Sequence, residues 1–495
     1  MRTMRTRAGG LGVLLAAAAF VAGAPARAQN EAPRPARPAG AAAGPGSGAP
    51  DAGPTPVPTE LLRVQPGGLT ADRAGERAGA TSWNARAAQE TLRSAAARVD
   101  EAWAAFLPRL SGVARYTRLS GFTPPDLTFP SSPGSPPVQV PGSVIYPVLL
   151  DNWLLQATIT VPISDYFVRI EQNYTSATRS ADASRWDVVT ARSTSAANGR
   201  IAYYTWLRAR GAVVVAAQAL NDQKNHLRDA NNQFSVGNAS KADVLRAETS
   251  VASAELALER AKNLADLTEK QLRVAIHAGE DEPVAPGEDL EAPLPDVQGN
   301  VKQMTLEAFA ARPEIKSADA NAAAAREQAA AAKAGRYPVL SAFGDGIYAN
   351  PNPRFFPPAA VWFGTWDVGA QLTWTPTDIP SANGVVNDLE ARAAAIEANR
   401  NNVRDGIEVE VTQDLQAVRE ADFSIGTSMR ELASAEEAYR VARELFNNGR
   451  GTSTTLTDAE TDLTRARLDL LNAKADARIA RIRLDHALGR DAKPQ

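Results

Sequence analysis

The sequence predicts a mostly α protein with a small β part, built from two copies of a strand–strand–long-helix unit. Three observations carry that prediction. A 42-residue helical segment recurs at a fixed offset. Short strands of alternating polarity precede unusually long helical stretches. Aromatic residues make up only 6% of the chain, too few for a thick globular core and suited to thin, alanine-rich helices.

The repeat aligns 234–275 with 446–487 without gaps, 212 residues apart. It holds 13 identities, among them Gly237/Gly449, Glu248/Glu460, Thr249/Thr461 and Lys262/Lys474. A duplication of this kind makes each copy a structural unit that packs against the other. The segment is also a heptad. Leu456, Leu463, Leu470, Ala477 and Leu484 recur every seven residues, and Ala459, Ala466, Ala473, Ala480 and Ala487 follow three places later. Val244, Val251, Leu258, Ala265 and Leu272 keep the same register in the first copy. Aliphatic and alanine rows in this spacing form a coiled-coil seam whose small side lets helices approach closely. Gly237 and Gly449 fall where two helices turn, since glycine tolerates positive φ.

Each strand region precedes a long helix. Over 152–163, Trp153, Leu155, Ala157, Ile159 and Val161 share one face, and the other is mostly polar. Trp366, Val368, Ala370, Leu372 and Trp374 alternate in the same way with Asp367, Gly369, Gln371, Thr373 and Thr375. Aromatic residues at both ends of an alternating strand fit a lipid-facing strand with interfacial girdles as well as a half-buried strand of a soluble sandwich. The helices tilt the choice. The stretches 165–233 and 381–447 read as continuous helix, each roughly 100 Å long at about 1.5 Å per residue. The return paths are 240–278 with 305–335, and 452–488 completed by 81–106. Four strands cannot close a membrane barrel, which needs at least about 8, so strands that enter lipid must be shared between chains.

The ends of the chain read differently. Arg2, Arg5 and Arg7, an apolar run over 11–22 and Ala26-Arg27-Ala28 make residues 1–28 a secretory signal peptide. Residues 29–79 are a linker, Ala/Pro/Gly-rich as far as about Gly68. The first repeat then spans 80–279, a Pro-rich segment 280–302, the second repeat 303–489 and a tail 490–495.

Composition excludes several functions. A net charge of −3 leaves no basic footprint for nucleic acid. The absence of cysteine removes disulfides, thiolate sites, a cysteine nucleophile and N-terminal lipidation. Three histidines are too few to suggest a metal site, and His226, His277 and His486 read as solvated. No nucleophile, metal or acid–base constellation marks an enzyme, and no cofactor motif is present.

The duplicated plan, with Phe234-Ser235-Val236-Gly237 followed by Ala242-Asp243-Val244-Leu245 and Ala247, resembles the TolC family of outer-membrane efflux proteins. Phe446-x-x-Gly449 through Asp458-Ala459-Glu460 has the same form, and the resemblance covers about 81–489. It implies a homotrimer in which each chain gives four strands to a 12-stranded β-barrel in the outer membrane, continued by an α-helical coiled-coil tunnel across the periplasm. The segment 280–299 would lie in an equatorial belt. The implied function is the outer-membrane channel of a tripartite efflux or type I secretion system. Its implied partners are a periplasmic membrane-fusion adaptor and an inner-membrane pump of the RND, ABC or MFS class. A soluble periplasmic coiled-coil adaptor is the alternative; it explains the helices and not the strands.

The resemblance also places the gate and docking residues. The family closes its tunnel near the glycine turn through tyrosine, arginine and aspartate. Here Phe446 stands where tyrosine is common, Gly451 holds the arginine site beside Arg450, and Thr455 replaces one aspartate while Asp458 remains. Asp243 matches the aspartate partner in the first copy. Asp243, Phe446, Arg450 and Asp458 are therefore the gate candidates. Phe234, Gly237, Phe446 and Gly449 are the candidates at the adaptor-docking tips. Trp153, Leu155, Ile159, Trp366, Val368, Leu372 and Trp374 are the candidates for the lipid face. For Glu460 and Asp462 the favourable field of a helix N-terminus is a sufficient reading.

Overall fold

The computed structural model describes residues 59–492 apart from 131, 132, 134, 135, 146 and 298. The signal peptide, most of the linker and residues 493–495 lie outside the described residues. After a short 3-10 turn at Thr59–Leu62, the chain forms helices α1 (Ala71–Thr81) and α2 (Trp83–Ala104), then strand β1 (Arg109–Arg118). The following loop carries β2 (Leu127–Phe129), β3 (Val138–Val140) and the four-residue helix α3 (Gly142–Ile145). Strand β4 (Asp151–Val161) leads through a π-helical turn into α4 (Glu171–Ser235), which folds back as α5 (Lys241–Ile276). Helices α6 (Val301–Ala311) and α7 (Pro313–Lys333) precede β5 (Val339–Asn350) and β6 (Phe363–Thr373). Helices α8 (Ile379–Asn447) and α9 (Ser453–Ala487) complete the second copy.

The structure extends the duplication beyond what the sequence showed. The starts of α1 and α6, Ala71 and Val301, lie 230 residues apart, as do those of α2 and α7, Trp83 and Pro313, and of β1 and β5, Arg109 and Val339. From β4 and β6 onward the offset becomes 212, as with Asp151 and Phe363. The extra length of the first copy is the loop that bears the β2–β3 hairpin. The linker reading of 29–79 is corrected at its end, because Ala71–Thr81 is helical. Thr70 caps it by accepting from the Arg73 N–H at 3.2 Å. Its inner face is Ala71, Ala74 and Ala78, with Gly75 and Gly79 between them, so apolar periodicity is carried by the smallest side chains and is hard to see. This face lies so close to α4 that a Cβ on Gly199 would meet Ala74 O at 2.8 Å.

The two return paths are broken, each for a local reason. Pro313 lacks an N–H and pushes Arg312 to ψ 123, which separates α6 from α7. Ser82, at ψ 131, ends α1 and caps α2 through the N–H groups of Asn84 and Ala85. The continuous helix expected over 305–335 is therefore two helices. By contrast α4 runs for 65 residues and α8 for 69, each about 100 Å.

The core is a series of small clusters along the helices. One joins Tyr203, Trp206 and Leu207 of α4 to Leu272 and Ile276 of α5 and to α1. Its counterpart joins Val411, Leu415 and Val418 of α8 to Leu484 and Leu488 and to Met304 and Ala308 of α6. The segment between the repeats is pinned across this level. Glu288 accepts from the Ala71 N–H at 2.8 Å and the Tyr204 hydroxyl at 2.6 Å, and Arg478 donates to the carbonyls of Asp289 and Ala292. The proline-rich stretch is thus tied to helices of both copies.

Candidate functional site

Strands β1, β4, β5 and β6 form one sheet in that order, every pair antiparallel. Residues facing each other across an antiparallel pair lie on the same face, so the register defines two surfaces. One carries Leu110, Ala114 and Tyr116; Trp153, Leu155, Ala157 and Ile159; Leu340, Ala342 and Tyr348; and Trp366, Val368, Ala370 and Leu372. Its charged side chains within the strands are Arg118 and Asp151, paired with each other at 2.6 Å at the end remote from the helices. The opposite surface carries Arg109, Arg115, Gln156, Thr158, Asp345, Asp367 and Gln371. Gln156 donates to Asp345 Oδ1 at 2.8 Å, Thr158 donates to the same oxygen, and Arg354 pairs with Asp367 at 3.0 Å.

Six of the seven residues expected on the lipid face lie in the strands, all on the apolar surface and all exposed: Trp153, Leu155, Ile159, Trp366, Val368 and Leu372. Trp374 is exposed one residue beyond β6. At the end of the sheet remote from the helices, Tyr116 packs on Trp153 with centroids 4.5 Å apart and Tyr348 stacks on Trp362 at 5.0 Å. Tyr337 and Trp374 flank the helix end. The outer strands β1 and β6 each keep one edge without a partner among the described residues.

At the other end of the molecule, α4–α5 and α8–α9 turn back in two matching tips. Gly237 has φ 82 and Gly449 φ 69, and no atom lies within 4 Å of a Cβ built on either. Backbone conformation alone calls for glycine there. The same turn bonds recur: Gly237 N to Phe234 O and Gly449 N to Phe446 O at 3.0 Å, and Asn238 N to Gln233 O and Arg450 N to Leu445 O at 2.8 Å.

The candidate gate residues separate into structural and free groups. Asp243 belongs to the capping box of α5. It accepts from the Ser240 N–H at 3.1 Å and the Ser240 hydroxyl at 2.6 Å, while Ser240 Oγ accepts from the Asp243 N–H at 3.2 Å. The bond from the Ser240 side chain, with the backbone bond behind it, holds the Asp243 carboxyl below its ordinary range. Arg246 bridges Asp243 at 3.3 Å and Thr454 of α9 at 3.2 Å. In the second tip, Thr452 caps α9 and Thr455 takes the place of the box carboxylate. Asp458 is exposed, and neither its side chain nor that of Arg450 has a hydrogen-bond or ion-pair partner among the described residues.

Three expectations are corrected here. Phe446 is buried in the tip core with Ala230, Val244, Ala247, Ala442 and Leu456, so it is a packing residue and not a surface of the gate or docking site. Phe234, its copy, is on the surface with Lys241 above its ring. His226 is fully buried, contrary to the solvated reading. Its Nδ1 lies 3.0 Å from Glu460 Oε2, its Nε2 lies 3.2 Å from Ser453 Oγ, and its ring packs edge-on against Phe446. Glu460 is buried too, so the helix-terminus reading fails for it, whereas Asp462 is exposed. Burial pushes the Glu460 carboxyl above its ordinary range. Sequence reasoning missed this pair because its partners come from different copies of the repeat. The available signal was the position of Glu460 between the seam residues Leu456 and Leu463.

Among the described residues no helix is long and apolar enough to cross a membrane, and no cluster of metal-ligating side chains occurs. The model of a family described as outer membrane efflux protein matches residues 76–277 and 306–490. No curated protein sequence matches the chain. Among solved structures, CusC, described in connection with transmembrane channel formation, superposes with a TM-score of 0.71 at 17% identity, covering 88% of this chain and 97% of that one. The CmeC outer membrane channel of Campylobacter jejuni gives 0.70 at 15% identity, covering 90% and 94%. The open state of the MtrE outer membrane channel of Neisseria gonorrhoeae gives 0.67 at 18% identity, covering 85% and 88%. At these identities the likeness is one of fold.

Proposed function

This chain belongs to the outer membrane efflux protein family, and from that premise we propose that three copies share one barrel and one tunnel. The chain is an outer-membrane efflux channel that extends into the periplasm. The observation that carries the trimer is the sheet itself: one face apolar except for the Arg118–Asp151 pair at its far end, and two edges without partners among the described residues. An unpaired edge in lipid leaves backbone groups without partners. Strand β6 runs opposite to β1, so β6 of one chain joined to β1 of the next continues the antiparallel order. Two chains would give 8 strands, and a barrel of about 8 is filled by its own side chains. Three give 12, the number the family resemblance implies, and leave an open passage.

In this reading the apolar face meets lipid and the face with Asp345 and Asp367 meets water. The helical hairpins form the periplasmic tunnel, and their tips form its entrance. Asp458 and Arg450 are the gate groups left free by the fold, and Phe234, Gly237 and Gly449 lie on the surface offered to a periplasmic adaptor, with an inner-membrane pump behind it. The family's members are channels, and we assign this chain no covalent chemistry. The soluble adaptor reading does not account for the apolar sheet face.

Two experiments test the proposal. Native mass measurement of detergent-extracted protein should give three chains, and a monomer that keeps its full β content would refute the shared barrel. Leu372→Arg should block outer-membrane insertion, since a midplane arginine facing lipid costs about 2–4 kcal/mol. Thr373→Arg should insert and change conductance. Equal effects of the two would refute the assigned faces.

A further inference from the structure

The two hairpins meet near their tips along α4 and α9. Two partly exposed ion pairs cross that contact, Arg208–Asp476 at 2.9 Å and Asp222–Arg467 at 3.4 Å. His226 and Glu460 differ from them in burial, with side chains 0% and 3% exposed and 3.0 Å apart. Burying an ionisable pair between two elements is costly unless its hydrogen bonds are complete. Here they are complete for the ring. With His226 neutral, Nδ1–H donates to Glu460 and Nε2 accepts from the Ser453 hydroxyl. That arrangement leaves one net negative charge in the contact. One added proton on the Glu460 carboxyl leaves the pair uncharged, the acid O–H donating to Nδ1 and Nε2–H donating to Ser453 Oγ. The heavy atoms need not move, and the net charge of the pair falls to zero.

The ionisable neighbours do not supply that compensation. Asp222 on α4 is engaged by Arg467 of α9 at 3.4 Å and itself disfavours ionised Glu460. Tyr439 on α8 feels both carboxylates, with Arg443 of α8 in opposition. Asp243 on α5 is held in its capping box.

We propose that His226 and Glu460 form a proton-operated latch between the two hairpins, which tightens the tip contact when the pair takes up a proton and loosens it when the proton leaves. Parting α4 from α9 would expose both side chains to water and remove the penalty of the unbalanced charge. Burial raises the Glu460 carboxyl in the closed contact, so the closed state binds the proton more tightly than the parted one. Such a group favours the closed state below its ordinary value and loses that contribution as pH rises through the raised one. Acid therefore closes and alkali releases. For one linked proton the ratio of closed to parted tips changes at most about tenfold per pH unit.

The latch rests on the proposed reading of the tips as the channel entrance only for its consequence, not for its movement. The chain contains no cysteine, so spin labels on Val236→Cys and Asn448→Cys, one exposed residue in each turn, report tip separation without background. In assemblies diluted with unlabelled chains, the label distance should be short near pH 5 and lengthen or broaden near pH 8. Glu460→Gln, which mimics the protonated carboxyl, should keep the short distance at both values. A distance that ignores pH in the parent, or a pH profile that survives Glu460→Gln, overturns the latch. Conductance of the same proteins in planar bilayers should fall as the distance shortens. A distance that responds while conductance does not supports the latch and refutes the tips as the gate.

Discussion

The two hairpin tips are copies with superposable turns, yet they use their acidic residues in opposite ways. In the first, Asp243 closes a capping box and Arg246 reaches across to α9. In the second, Thr455 sits where Asp243 would be and Asp458 where Arg246 would be, 212 residues on, so the cap is uncharged and the carboxylate stands free. Glu248 is exposed, whereas its copy Glu460 is buried against His226. Phe234 is outside and Phe446 inside. Duplication preserved the backbone, because the glycine turn and the heptad seam are needed twice. It left the polar and aromatic positions to specialise, because the two hairpins meet different neighbours.

The largest effect that can test this contrast is at the aromatic pair. Phe446→Ala should destabilise the second tip by about 3–5 kcal/mol, the usual cost of emptying a buried aromatic site. Phe234→Ala should cost less than about 1 kcal/mol, since it removes an exposed ring and its contact with Lys241. Amide exchange in α5 and α9 measures both, and equal protection losses would break the comparison. The turn glycines should instead behave alike. Gly237→Ala and Gly449→Ala each force a side chain into the left-handed region at about 1–2 kcal/mol, which thermal unfolding of the two variants would show as matching shifts.

The smallest effects concern the carboxylates. Asp243→Ala should loosen the start of α5 by about 1 kcal/mol, the typical worth of a cap. Asp458→Ala should change stability by less than about 0.5 kcal/mol while lowering cation selectivity and raising conductance in planar bilayers. Unchanged conductance and selectivity would make Asp458 a solvated carboxylate and move the gate elsewhere. The depressed Asp243 carboxyl stabilises its cap above the ordinary carboxylate range and loses that contribution as pH falls through the depressed value. Glu460 has the opposite sign, so mild acidification should leave the first cap intact while tightening the second tip's contact.

Much of this architecture is legible in the chain without coordinates. The alternation around Leu155 and Leu372 assigned the strand faces, because a period of two leaves no other arrangement for an apolar row. The heptads of α5 and α9 and the glycines between hairpins were visible for the same reason: local periodicity and backbone conformation are written in neighbouring residues. Helix α1 was not, since its inner face is alanine and glycine and acquires meaning only where α4 approaches within contact of Gly199. The interruption at Arg312–Pro313 falls inside the stretch 305–335 read as continuous helix, although a proline there is a local signal for a break.

What the tertiary structure alone decided is the fate of individual polar and aromatic side chains. Sequence spacing places Glu460 on a seam-flanking position of α9 and His226 far away on α4, but only the packing of one copy against the other sets them 3.0 Å apart and out of water. The same packing buries Phe446 and leaves Phe234 exposed, although both follow the same local pattern. Periodicity within a helix specifies which residues share a face. Which neighbour covers that face depends on contacts between segments more than two hundred residues apart, and burial, ionisation and partnership follow from that neighbour.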